Sequence, residues 1–178
     1  YQAMGCERVI LAREMSLARI AALHREVGDS IQLETFVHGA SCVAWSGRCL
    51  LSAALTGRSG NQGACAQPCR WEYAVMEKKR PGEYLPVSED LNGTYIFSAK
   101  DLNLMPLLPE LVQAGVASLK IEGRMKTEYY VATVVATYRR ALDLLARDEQ
   151  AFRVALPQFL QELECASHRD SDTGFLLG

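Results

Sequence analysis

Four cysteines crowd into one stretch of this chain, spaced Cys42-x6-Cys49-x15-Cys65-x3-Cys69. No other feature restricts the fold so tightly. Four thiols gathered this way either bind a metal, pair as disulfides or are buried separately as small apolar groups. Thiolates are soft ligands, and four of them complete a tetrahedral zinc site or an iron–sulfur cluster. Neither cysteine pair has the x2 spacing of zinc knuckles and ribbons, which weakens the zinc reading. Glycines at 39, 47, 57, 60 and 63 allow a backbone to bend around such a site and aim amides at sulfur, and Pro68 stiffens the approach to Cys69. Cys6 and Cys165 stand apart in apolar surroundings and read as buried thiols.

On either side of this segment the chain has a strand–helix rhythm. Val9 to Leu11 is a short apolar run that ends in Ala12, Arg13 and Glu14, as a buried parallel strand would. Ser16 then precedes a helical spacing of Leu17, Ile20, Ala21 and Leu23 that reaches about Glu26. Ile31 to Val37 forms the next strand. From Gly39 to about Gly93 the rhythm breaks into a Gly-, Ser-, Asn- and Pro-rich insertion. Trp71–Met76 and Tyr84–Val87 read there as a hairpin, with Thr94–Phe97 as a further short strand. It resumes with a helix over about Pro106–Ala114, a strand over Val116–Ile121 and a long helix from Thr127 to about Arg147. The long helix carries Tyr130, Val134, Tyr138, Ala141 and Leu145 on one face, and a further helix spans Phe152–Leu163.

Strand–helix–strand order implies a parallel sheet with helices outside it. The expected fold class is therefore α/β, the second half of a TIM-barrel-like domain with a cysteine-rich insertion. Residues 1–146 would form the barrel part, with the insertion at about 39–97, and residues 147–178 a C-terminal helix and linker. A chain that opens on Tyr1 and runs at once into a strand reads as a piece of a longer protein.

Charge and hydropathy remove some function classes. The formal net charge of -2 excludes nucleic-acid binding by bulk electrostatics, although it leaves room for a local basic groove. No apolar run reaches the roughly 18 residues of a membrane helix. Clustered cysteines without a signal peptide point to the cytoplasm.

In barrels, side chains at the C-terminal ends of strands assemble the site. Those positions hold His38, Lys120, Glu122 and Arg124 as catalytic candidates, and Arg13 and Lys100 as substrate-binding ones, with Asp101 beside them. Lys120 and Glu122 alternate onto one side of their strand, either as an ion pair closing the barrel end or as groups that meet substrate. Arg124 can grip a carboxylate or phosphate with two N–H groups, or it can cap its own loop. His38 can relay protons, ligate or simply pack. Glu34 reads as a paired interior carboxylate. Arg70, Trp71, Tyr73, Lys78, Lys79 and Arg80 mix cations with aromatics, as an RNA-contacting surface or as a solvated hairpin tip. No His-Glu-x-x-His or Gly-x-Ser-x-Gly motif supports peptidase chemistry.

The run from Glu34 to Ser52, Glu-Thr-Phe-Val-His-Gly-Ala-Ser-Cys-Val-Ala-Trp-Ser-Gly-Arg-Cys-Leu-Leu-Ser, resembles a family signature. That signature is Glu-x-Phe-x2-Gly-Ala-x-Cys-x4-Ser-Gly-x-Cys-x-Leu-Ser, of the collagenase-like peptidases of unassigned catalytic type, family thirty-two of that class. Asn61–Arg70 resembles the family's second cysteine block, Lys120–Lys126 its Lys-Ile-Glu-Gly-Arg segment, and Ser167–Phe175 the passage that follows. Thr35 and Ser41 stand where Val and Leu are commoner, and Asp170-Ser171-Asp172 is more acidic than the family pattern.

The resemblance implies a TIM-barrel-like enzyme with a 4Fe-4S cluster on Cys42, Cys49, Cys65 and Cys69, zinc being the alternative. The subgroup it most resembles, the tRNA 5-hydroxyuridine hydroxylation proteins, implies hydroxylation of a wobble uridine. Its expected partners are tRNA or another RNA, and prephenate or a related small molecule; no membrane partner and no particular oligomeric state is implied. The family name implies the rival activity, proteolysis, and a third reading is a metal-stabilised scaffold without catalysis.

Overall fold

The structure, a computed structural model, describes residues 1–42, 44–71, 74–76, 79, 81, 82, 84–86, 100–166 and 169–178. The chain divides into two compact units, residues 1–41 with 100–178, and residues 42–99. The expected strand at Thr94–Phe97 and the turn before it lie outside the described residues.

The first unit is a mixed sheet with helices. Its strands are β1 (Arg8–Ile10), β2 (Gln32–Ala40), β5 (Asp101–Asn103), β6 (Val116–Ile121) and β7 (Ser171–Asp172). β2 is the hub. β1 pairs parallel to its first residues, from Arg8 opposite Gln32 to Ile10 opposite Glu34. β6 pairs parallel along Leu33–His38, and β5 pairs antiparallel at the end, with His38 opposite Asn103 and Ala40 opposite Asp101. A strand has two edges and the β6 pairing overlaps both others, so β1 and β5 share the edge opposite β6. β7 extends β5 in parallel. The α/β class thus holds, in an open sheet whose β1, β2 and β6 are parallel neighbours in chain order.

Local sequence explains the helices. In α1 (Leu17–Val27), Ile20 points into the core and is fully buried. α3 (Leu108–Gln113) is a single short stretch that buries Leu108, Pro109 and Leu111, and Gly115 follows with φ 87°. A Cβ on Gly115 would overlap the His24 ring, so the entry into β6 needs glycine. α4 (Glu128–Leu145) begins at Thr127, whose hydroxyl accepts from the Tyr130 amide at 3.2 Å. α5 (Glu149–Glu164) is capped the same way by Asp148 and continues through Pro157. Phe152 and Phe159 of α5 stack at 6.3 Å between ring centroids, and Arg140 of α4 forms an ion pair with Glu162.

The core runs from Ile20 through Leu33 and Val37 to Leu104, Met105, Leu111, Val134, Ala141 and Phe152. Each fully buried aliphatic side chain there stabilises the fold by about 1.5–3 kcal/mol of transfer free energy. Among the described residues no helix is long and apolar enough to cross a membrane.

The second unit contains α2 (Leu51–Thr56) and an antiparallel hairpin, β3 (Ala74–Met76) with β4 (Tyr84–Pro86), where a hairpin is expected from the sequence. α2 itself is not legible in the glycine-rich composition around it.

Candidate functional site

The cysteine loop of the second unit is built on a buried hydroxyl. Ser52, 2% exposed, lies on α2 and its Oγ accepts from the Ala66 amide at 3.0 Å. That bond fixes the chain between Cys65 and Cys69. Gln67 follows in the left-handed region, φ 56° and ψ 45°, an unusual place for a residue with a Cβ. The twist lets the Gln67 N–H donate to the Cys65 Sγ at 3.3 Å and lets the Arg70 N–H return to the Gln67 carbonyl at 2.9 Å. Pro68 opens the short 3-10 turn that carries Cys69 and Arg70.

All four cysteines are half-buried thiols outside any disulfide. Burial pushes the Cys69 thiol up, and the thiols of Cys42, Cys65 and Cys49 push it the same way, against a downward pull from the Arg70 guanidinium. Cys42, Cys49 and Cys65 thus each lie within electrostatic reach of Cys69. Among the described residues no three His, Cys, Asp or Glu side chains close on a point as a single ion would require. The donor set is all thiol with an amide already directed at one sulfur, a chemistry that fits a thiophilic metal group.

In the first unit, the C-terminal ends of the parallel strands carry most of the remaining candidates. β5 runs antiparallel to β2, so its first residue, Asp101, reaches the end of β2 rather than its start. A register shift in the β2–β6 pairing between Phe36 and His38 breaks the in–out alternation. Val37, His38 and Gly39 are consecutively buried as a result. Gly39 has φ 107°, and a Cβ there would lie 2.1 Å from the Glu122 carbonyl oxygen, so the β2 and β6 ends approach as closely as backbone allows.

His38 is 5% exposed and lies among aromatic rings of α4. Its ring meets Tyr138 edge-on at 5.4 Å and Tyr130 at 6.1 Å between centroids. The Tyr138 oxygen is 3.4 Å from Nδ1, 3.0 Å from the Val37 carbonyl oxygen and 3.4 Å from Asn103 Oδ1. Burial pushes the Tyr138 phenol far above its ordinary range, so it keeps its proton.

Lys120 reaches Glu34 at 3.8 Å and lies over the Phe36 ring, 5.4 Å from its centroid. The carboxylate opposite Lys120 is thus that of Glu34, which also takes Arg8 at 3.4 Å and the Ser118 hydroxyl at 2.8 Å. Glu122 turns to its own loop instead, where its Oε1 accepts from the Arg124 amide at 3.0 Å. Arg13 is half-buried over the other approach to Phe36, 5.9 Å from the ring centroid. It lines a cavity of about 20 Å³, room for one water, with Thr35, Ser41, Leu102 and Thr173. Lys100 and Arg124 are exposed. Arg70 belongs to the second unit beside Cys69, while Tyr73, Lys78 and Arg80 lie outside the described residues.

Two further groups join this end of the sheet. Asp101 is 2% exposed; its Oδ2 faces the Lys126 ammonium at 3.5 Å and the Arg169 amide at 3.4 Å. Lys126 in turn lies 4.8 Å from the centroid of the Tyr130 ring. Tyr130 and Tyr138 belong to the apolar stripe of α4, and helical spacing alone does not separate a packed ring from one whose hydroxyl is in use. A polar tip on a buried aromatic was the available signal.

The model of Peptidase family U32 matches residues 1–178. The chain is 41% identical over 174 residues to tRNA hydroxylation protein P1 of Bacillus subtilis, covering 98% of this chain and 40% of the relative. It is 39% identical over 215 residues to tRNA hydroxylation protein P of Escherichia coli, covering 99% and 46%. It is also 34% identical over 182 residues to a protein named Collagenase from Porphyromonas gingivalis, covering 96% and 42%. The chain therefore spans less than half the length of these relatives. No solved structure gives a significant match. With its whole length matched, the chain belongs to Peptidase family U32.

Proposed function

We propose that this chain is part of an enzyme that hydroxylates an RNA base, a tRNA wobble uridine, with a 4Fe-4S cluster on Cys42, Cys49, Cys65 and Cys69. The observation that carries the reading is that four half-buried thiols share one unit, three of them within electrostatic reach of Cys69, with a backbone amide already offered to Cys65. Two relatives named for tRNA hydroxylation give the substrate class. When bound, such a cluster supplies electron transfer, since four thiolates satisfy its iron positions.

The first unit supplies binding and proton handling. Three neighbouring parallel strands with charged groups at their C-terminal ends fit a portion of a TIM-type barrel, where substrate binds at that face. Arg13, Lys100 and Arg124 suit phosphate or carboxylate groups, including those of a small acidic co-substrate such as prephenate. Lys120, held by Glu34 and Phe36, adds a fixed positive charge. Glu122 shapes the loop that presents Arg124, and His38 is the group suited to proton transfer near neutral pH. Arg70 adds a cation to the cysteine loop for an RNA phosphate.

The test is anaerobic purification of the intact protein with iron and sulfide analysis, then mass spectrometry of tRNA from cells lacking the gene and cells with it restored. About four irons per chain, lost on Cys→Ser at 42, 49, 65 or 69, together with a modification that depends on the gene, is the expected result. The relative named Collagenase defines the rival. Gelatin cleavage by iron-free protein, with unchanged tRNA, would replace hydroxylation by proteolysis. Zinc at the four thiols without change in tRNA would leave a scaffold.

A further inference from the structure

Phe36 has a cation on each of two approaches, and among the described residues only one of the two meets a carboxylate. The Lys120 ammonium, 5.4 Å from the ring centroid, faces Glu34 at 3.8 Å. The Arg13 guanidinium, 5.9 Å from the same centroid, is half-buried and makes no ion pair or hydrogen bond among the described residues. Taking a cation partly out of water is unfavourable unless an anion or a set of acceptors replaces that water. Arg13 borders a cavity of about 20 Å³ at the end of the sheet, and Thr35 borders it too. Thr35 is 5% exposed, and its hydroxyl has no hydrogen-bond partner among the described residues. Thr173, just after β7, brings a second hydroxyl of the same kind. Its turn is held down by the Leu17 amide, which donates to the Leu176 carbonyl at 2.9 Å, and by the Gly174 amide, which donates to Asp172 Oδ1 at 2.9 Å.

We propose that this cavity is a carboxylate subsite: it takes one oxygen of the terminal carboxylate of a small organic acid, with Arg13 as counter-charge and the Thr35 and Thr173 hydroxyls as donors. Size selects the group. Room for about one water admits a single carboxylate oxygen. It does not admit an internal phosphate of a nucleic-acid chain, whose phosphorus carries four oxygens, two of them bonded onward to sugars. Phe175 also lines the cavity and is 57% exposed, so it offers apolar surface to the carbon skeleton that stays outside. The guanidinium keeps its charge at any working pH, and a threonine hydroxyl can turn its hydrogen toward an anion. The subsite itself needs no RNA chemistry; that the acid serves as a co-substrate rests on the function proposed above.

Sodium acetate, titrated into the intact protein at constant ionic strength, is the probe. Binding is read in 1H–15N correlation spectra from the Gly174 amide and from the Arg13 Nε–H, the latter identified by its loss in Arg13→Gln. Acetate is expected to move both signals along a saturating curve with a midpoint of roughly millimolar order. Thr35→Val replaces the hydroxyl by a methyl of similar size and should raise that midpoint roughly fivefold to tenfold, with Thr173→Val as an independent variant of the same expectation. Arg13→Gln should abolish saturation at Gly174. Dimethyl phosphate, standing for the nucleic-acid backbone, should move neither signal. No saturation by acetate up to roughly 100 mM, or a midpoint unchanged in both threonine variants, overturns the subsite. Saturation by dimethyl phosphate at the same or lower concentration than acetate overturns the carboxylate assignment. No tRNA enters the titration, so acetate binding by a protein that leaves tRNA unmodified counts against the function alone. Modification of tRNA without acetate binding counts against the subsite alone.

Discussion

The α-carbon of Gly39 faces the carbonyl of Glu122 so closely that an added methyl would lie 2.1 Å from the oxygen. Backbone on both sides leaves nothing flexible to yield, and φ of 107° is itself unfavourable for any side chain. Gly39→Ala is expected to destabilise the first unit by roughly 2–5 kcal/mol, summing strain and overpacking. Urea denaturation followed by far-ultraviolet circular dichroism measures it. A loss below about 1 kcal/mol would mean that the two strand ends can separate.

The Asp101–Lys126 pair should respond asymmetrically to removal of either partner. Asp101 is 2% exposed, whereas the Lys126 side chain is 20% exposed and can reach water when released. Lys126→Met removes a counter-charge from a buried carboxylate and should destabilise by about 2–4 kcal/mol; Asp101→Asn removes the carboxylate charge beside an ammonium that water can solvate and should remain nearer 1 kcal/mol. Equal losses would show that the Arg169 amide, not Lys126, is the main support of Asp101.

Alkaline pH should weaken the fold through Tyr138. Its phenol ionises far above the ordinary value in the folded chain, so folding favours the protonated form. The sign follows directly: the contribution is complete below the unfolded value of about 10 and is lost as pH rises above it. Unfolding free energy measured from pH 8 to 11 should fall more steeply for wild type than for Tyr138→Phe. Parallel curves would mean that the phenol reaches solvent.

Ser52 should govern how well the cysteine loop is held. Ser52→Ala leaves the buried Ala66 amide without its acceptor, a loss of about 1–3 kcal/mol local to that loop. If the four thiols hold the proposed cluster, iron release to a chelator, followed by visible absorption, should be faster in the variant. An unchanged release rate would show that the four thiols are organised without the hydroxyl.

Much of the first unit is legible in the sequence because its signals are local. Val116–Ile121 is an apolar run that begins after Gly115, and Thr127 announces α4 with a capping side chain. The spacing of the four cysteines is likewise visible, although the path of the chain from Cys65 to Cys69 depends on Ser52 and on the backbone of Gln67. β5 is not legible: three residues, Asp101–Asn103, become a strand only because the end of β2 offers an open edge. The surroundings of His38 were hidden for a similar reason. The register shift beside it turns inward a residue that strict alternation would place opposite Val37, and its partners on α4 arrive from 100 residues away. Lys120 and Glu122 share a side by strand parity, yet Lys120 reaches Glu34 on β2 while Glu122 accepts from the Arg124 amide of its own loop.

The pairing of Ala40 with Asp101 has a consequence for how such a chain can change. These residues bracket the entire cysteine-bearing unit, and as rungs of one antiparallel ladder their α-carbons are only about 5 Å apart. To the sheet, everything between them is a closed loop with its exit beside its entrance. The entropy of closing such a loop grows only with the logarithm of its length. The cysteine-bearing unit is thus a closed excursion from the sheet, and a change in its length costs the Ala40–Asp101 pairing little in chain entropy.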